Sequence, residues 1–211
     1  MRVYEQELNH DLAWALTEGS MHFEEKSAVQ VSLRRICARL DGLAVPYAVA
    51  GGMAMFLQGY RRFTEDVDIL VTRDGLKSLH EKLEGLGYVP PFAGSKNLRD
   101  TETGVRIEFL ITGGYPGDGK PKPVAFPDPA QASTRLQDMQ CLRLEKLMEL
   151  KLASGMTEPG RLKDLADVQE LVRSLGLGAD FASQLHPYVR DKYLELCRAV
   201  QEDKGRGEDR F

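Results

Sequence analysis

The sequence predicts an α/β protein, a short mixed sheet flanked by helices and followed by a C-terminal helical segment. Three observations predict it. A short apolar strand ends in a glycine pair, two later strands alternate carboxylates with apolar residues, and amphipathic helices follow a loop rich in glycine and proline. The chain has 211 residues, of which 42% are hydrophobic and 28% charged, enough for one sizeable core or a compact domain with a smaller partner.

Composition narrows the class. No apolar run approaches the roughly 20 residues that span a bilayer, so no membrane partner is expected. The first residues (MRVYEQELNHDLAW) lack the apolar stretch of a secretory signal. Cys37, Cys141 and Cys197 are odd in number and widely spaced, which fits reduced thiols in a cytoplasmic protein. His10, His22, His80 and His186 are too scattered for a zinc site. A net charge of −4 argues against a broad grip on nucleic acid and leaves room for a local basic groove.

Along the chain, 24–40 reads as an amphipathic helix carrying Val29, Leu33, Ile36, Cys37 and Leu40 on one face. Residues 46–50 form an apolar strand ending at Gly51-Gly52, and 53–58 form the next helix. A strand over 67–72 leads to a helix capped by Asp74 that runs to about Leu86. Strands over 97–101 and 105–111 flank Thr103-Gly104, a hairpin signal. Residues 113–129 are loop, and helices are expected over 143–154, 161–175 and 187–201. The expected division is an N-terminal extension (1–23), a core (24–128), a helical segment (129–204) and a disordered tail (205–211).

The chemistry centres on Arg62-Phe63-Thr64-Glu65-Asp66-Val67-Asp68-Ile69. Residues two apart on a strand share a face, so Asp66 and Asp68 project together while Val67, Ile69 and Val71 enter the core. By the same rule Val105, Ile107, Phe109 and Ile111 leave Glu108 on the opposite face. Alternating Asp can simply mark a wet strand face. Two carboxylates on one strand and a third on a neighbour also make the hard oxygen cage that Mg²⁺ or Mn²⁺ takes, as phosphoryl and nucleotidyl transfer require. Gly51 and Gly52, between strand and helix, let the backbone approach a phosphate and offer N–H donors to it.

In the order Ala50-Gly51-Gly52-Met53-Ala54, then Arg-x-Thr-x-Asp-x-Asp, then Arg106-Ile107-Glu108-Phe109, the chain resembles the nucleotidyltransferase superfamily of the DNA polymerase β type. With the segment from Leu144 to Leu171 it is similar to the AbiEii/AbiGii branch, which includes type IV toxins. The likeness spans roughly 45–171. It implies a nucleotidyltransferase fold, a nucleoside triphosphate as substrate, an RNA, protein or small-molecule acceptor, and a cognate antitoxin as partner. An aminoglycoside-like acceptor and a non-catalytic nucleotide-binding module are the rival readings. Many members carry Ser where Gly52 stands and Asp where Glu108 stands.

Two helices carry charge among apolar residues. Leu144, Leu147 and Met148 form a stripe with Lys151 at its centre, while Glu145, Lys146 and Glu149 fall on the wet side. Lys151 either snorkels or reaches a pocket; the resemblance implies nucleotide binding, and Lys151→Met is then expected to preserve or raise stability. In the next helix Arg161 and Asp164 sit within the arc of Leu162, Leu165, Val168, Val172 and Leu175. They could pair with each other, and Lys163–Asp167 reads as a surface pair. The resemblance implies that an Asp of this helix, Asp164 in preference to Asp167, faces the site, as a fourth acid or by orienting Lys151. The expected catalytic set is thus Asp66, Asp68, Glu108 and Asp164, with Gly51, Gly52, Arg62, Thr64 and Lys151 for the nucleotide.

Overall fold

A computed structural model describes residues 3–208. The chain forms two compact units that interleave in sequence. The first takes the chain up to Leu57, Arg61–Thr112 and Pro127–Leu142; the second takes Gln58–Tyr60, Gly113–Phe126 and the chain from Arg143 on. Among the described residues no helix is long and apolar enough to cross a membrane.

The first unit is built on a seven-stranded mixed sheet of order β3-β4-β5-β2-β1-β7-β6. Its strands are β1 (Tyr47–Ala50), β2 (Asp66–Val71), β3 (Tyr88–Val89), β4 (Leu98–Asp100), β5 (Arg106–Ile111), β6 (Ser133–Leu136) and β7 (Met139–Leu142). Strands β2 and β5 pair in parallel, as do β1 and β7; the other neighbours are antiparallel. All four residues of β1 are buried, as expected of a central strand covered on both faces. The helices are α1 (Tyr4–His10), α2 (Leu12–Phe23), α3 (Ala28–Gly42), α4 (Gly51–Gln58, its last residue in the second unit), α5 (Arg73–Leu83) and α6 (Pro129–Ala132). In α3, capped by Ser27, the predicted face of Val29, Leu33, Ile36, Cys37 and Leu40 is buried in full.

Three features depart from the sequence reading. Residues 1–23 were expected as an extension, yet the described part joins the first unit. Tyr4 is buried and donates its hydroxyl to Glu18 at 3.0 Å, and Arg99 grips Glu5 with two hydrogen bonds of 2.7 and 2.8 Å. The helix α5 is capped by Thr72, whose hydroxyl accepts from Gly75 N, in place of Asp74, and it stops at Leu83. Residues 133–142 were expected in the helical segment and form the β6–β7 hairpin instead. Its two-residue turn is Gln137-Asp138, both left-handed with φ of 46° and 64°, without the glycine that usually announces such a turn.

His22 of α2 ties this unit together near β2. It is fully buried among Phe23, Phe56 and Phe63, with ring centroids 5.1–5.8 Å away. Its Nε2–H donates to the Arg62 carbonyl at 3.0 Å, which leaves Nδ1 to accept from the Ser27 hydroxyl at 3.3 Å. Burial holds the imidazole below its ordinary value of 6.5, against the opposing pull of its hydrogen bond to Arg62. The three thiols, Cys37, Cys141 and Cys197, are buried and unlinked, and burial pushes Cys37 and Cys141 up to about 12.

The second unit holds α7 (Leu144–Thr157), α8 (Leu162–Leu175) and α9 (Pro187–Glu208), with 3-10 turns at Pro159–Arg161 and Ala179–Gln184. The expected tail therefore begins inside a helix, and 209–211 lie outside the described residues. Gly176, left-handed at φ 63°, ends α8. Two acids read as wet-side residues are buried. Glu149 accepts from His186 N and from Lys146, each at 2.8 Å, so it anchors the start of α9. Asp167 pairs at 2.7 Å with Lys151, not with Lys163. Lys151 also meets Asp164 at 3.0 Å, whose other oxygen accepts from Ser154 at 2.7 Å. Leu162, counted in the apolar arc, is exposed at the first turn of α8.

Two expectations follow. Lys151→Met removes the ammonium that both Asp164 and Asp167 contact, so the sequence-based stability expectation reverses. The loss is about 3–5 kcal/mol in chemical denaturation, the usual cost of breaking a buried pair from one side. The unfolded chain protonates His22 near 6.5 while the folded chain resists, so the His22 contribution is complete above that value and is lost as pH falls below it. Melting temperatures of wild type and His22→Gln, which keeps a donor and an acceptor but cannot ionise, should therefore diverge between about pH 7 and about pH 5, with wild type falling more steeply.

Candidate active site

Register decides which side chains meet. In the parallel β2–β5 pair Asp66 lies opposite Arg106 and Asp68 opposite Glu108. The apolar alternates Val67, Ile69, Val71, Ile107 and Phe109 hold the core face, which turns the acids to the other. One carboxylate oxygen from each of Asp66, Asp68 and Glu108 lies within 4.8 Å of the others, and all three residues are half-buried. Farther along the acid face, Leu70 is buried, so the acids stand at one end of the strand.

Like charges this close repel. Two unit charges about 4 Å apart cost roughly 4 kcal/mol at an effective dielectric near 20, and less where solvent screens them. Arg106, two residues before Glu108 and on the same face, answers part of that charge. Its Nη2 lies 2.7 Å from Glu108 Oε1 and 3.6 Å from Asp66 Oδ2. The period of two that puts Glu108 on this face puts Arg106 there as well, a placement the motif alone does not announce.

The glycine pair belongs to this arrangement through what it leaves out. Ala50, the last residue of β1, pairs with Asp68, and Gly51 follows it with φ 57°. A Cβ on Gly51 would lie 1.7 Å from Asp68 Oδ2, so the carboxylate occupies the space where any other residue would carry a side chain. At Gly52 a Cβ would come within 2.8 Å of Thr64 Oγ1 and 2.9 Å of Thr64 Cβ. Buried Thr64 in turn donates its hydroxyl to Asp66 Oδ1 at 3.1 Å. The departure from a serine at position 52 has a local cause here: Thr64 fills that space. Thr64, expected at the nucleotide, gives its hydroxyl proton to Asp66.

Arg62, also expected at the nucleotide, is half-buried and donates from Nη1 to the Phe63 carbonyl at 3.0 Å, while its own carbonyl is held by His22. The Thr64–Asp66 segment is thus braced from α2. Lys151 and Asp164 of the second unit meet, and Asp167 and Ser154 belong to the same cluster. Asp164 and Asp167, three apart on α8, share a face.

No protein-family model matches the chain, and no curated protein matches it. Solved structures do. A nucleotidyltransferase-like antigenic protein from Paracoccidioides brasiliensis is similar over 84% of this chain and 89% of its own, with a TM-score of 0.50 and 17% identity. The antibiotic-resistance factor ANT(2'')-Ia, solved in complex with adenylyl-2''-tobramycin, is similar over 82% of this chain and 97% of its own, with a TM-score of 0.49 and 14% identity. At such identities the likeness speaks for the fold. The chain has the α/β nucleotidyltransferase fold, a mixed seven-stranded sheet with flanking helices.

Proposed function

We propose that this protein is a metal-dependent nucleotidyltransferase that moves a nucleotidyl group from a nucleoside triphosphate to a hydroxyl on RNA or protein. The observation that carries the reading is the triad itself: three carboxylates from two paired strands, converging beside a glycine turn shaped around one of them. The donor set is all oxygen, hard and anionic, and it fits Mg²⁺ or Mn²⁺. Asp66, Asp68 and Glu108 would hold the ion. When bound, such an ion lowers the pKa of an attacking hydroxyl and neutralises charge on the phosphates.

The chain's own groups supply the rest. Thr64 fixes the orientation of Asp66, and Ala50–Gly51 seats Asp68. The first N–H groups of α4, from Gly51 on, lack partners within the helix and offer donors to a phosphate. A carboxylate of the triad takes the proton of the acceptor hydroxyl. The hydroxyl oxygen forms its bond to the α-phosphorus, the bond from that phosphorus to the bridging oxygen breaks, and pyrophosphate leaves. Most of the rate then comes from positioning and charge.

The preference for an RNA or protein acceptor, with growth arrest and a cognate antitoxin, is supported by the motif order shared with the AbiEii/AbiGii branch. It is tested by induced expression of wild type beside the Asp66→Ala, Asp68→Ala double variant. Labelled triphosphates are offered to total RNA, cell protein and aminoglycosides. Arrest and label on RNA or protein with wild type alone support the reading; label on aminoglycoside alone replaces it with a drug-modifying enzyme. For the purified protein, Asp68→Asn should abolish Mg²⁺-dependent triphosphate binding by calorimetry and lower transfer by roughly two orders of magnitude or more, with the melting temperature little changed. Triphosphate binding that survives in Asp68→Asn contradicts the metal assignment.

A further inference from the structure

Arg106 stands among the acids. It reaches Glu108 at 2.7 Å and Asp66 at 3.6 Å from one nitrogen, Nη2. The contact uses one corner of a guanidinium that could form a two-pronged bond to a single carboxylate. Its Nε is buried without a hydrogen-bond partner. The side chain is 42% exposed, so its head has room to move. Arg99, its neighbour across the β4–β5 pair, offers the acids no comparable cation, because its guanidinium is held by Glu5 and by the Gly104 carbonyl. A fixed structural bridge would satisfy its donors and be buried with them. Arg106 does neither.

We infer that Arg106 is the resident counter-ion of Glu108 and Asp66 and a positioning residue for Glu108, one that a divalent cation must displace. The inference rests on the metal reading above. In the metal-free protein the guanidinium holds Glu108 toward Asp66 and keeps the acids gathered. An entering ion competes with it for the Glu108 oxygen, so Glu108 joins the ion when Arg106 releases it. Arg106 thereby weakens metal binding while preserving the geometry that binds metal. A merely structural role predicts the opposite sign, since loosening the acids weakens their grip.

The test is calorimetric titration of the full chain with Mn²⁺ alone. Arg106→Gln should bind Mn²⁺ roughly two- to five-fold tighter than wild type, the range set by losing one partly exposed ion pair. Its melting temperature should fall without metal and recover at saturating Mn²⁺. In a Glu108→Gln background the substitution at 106 should change Mn²⁺ affinity little, because the competed oxygen is gone. Unchanged or weaker Mn²⁺ binding in Arg106→Gln overturns the inference. If that variant does not fold, Arg106→Lys, which keeps the charge but not the fork, should bind Mn²⁺ with an affinity between wild type and the expected gain; affinity at or below wild type then overturns it. Wild type that binds no Mn²⁺ brings down the metal reading and this inference together. Wild-type binding that Asp68→Asn abolishes and Arg106→Gln leaves alone brings down this inference only.

Discussion

The organising constraint is mutual repulsion among three carboxylates that the backbone forces together. Parallel pairing of β2 and β5 fixes Asp68 beside Glu108, and the two-residue period puts Asp66 on the same face. Nothing in the side chains themselves favours that meeting. The apolar face does: Val67, Ile69, Val71, Ile107 and Phe109 are buried, and a slip of one residue would put the acids in the core. The site is stable because its reverse side is hydrophobic, and its polar furnishings serve to manage charge and direction.

Those furnishings form a chain of dependence. Gly51 yields its side-chain space to Asp68, and Gly52 yields to Thr64, which aims Asp66. His22 holds the carbonyl of Arg62 two residues before Thr64, so α2 reaches the acids through backbone. The second unit solves a related problem in a different way. There buried Lys151 sits between half-buried Asp164 and buried Asp167, with Ser154 satisfying a remaining oxygen of Asp164.

Much of this was legible in the residues, and the limits have physical causes. Asp66, Asp68 and Glu108 could be placed because strand alternation is rigid and both strands show it cleanly. Arg106 obeyed the same period but was passed over, since a cation amid acids looks like part of a motif until its reach is known. Glu149 and Asp167 read as wet because each falls beside the apolar stripe of its helix, whereas each is buried against a donor distant in sequence. The β6–β7 hairpin escaped notice because Gln137 and Asp138 adopt left-handed backbone without glycine. Its strands are also only four residues each, too short for alternation to declare itself.

That hairpin has a bearing on synthesis. β1, at the heart of the sheet and flanked by β2 and β7, cannot complete its second ladder until Cys141 has emerged from the ribosome. Until then one edge of this fully buried strand stays open, a template for any passing extended chain. A fragment ending at residue 128 would keep every acid of the triad and lose the strand that closes that edge. The open edge therefore outlasts the synthesis of the triad and closes only when residues 139–142 join the sheet, an interval in which the chain is exposed to wrong pairing.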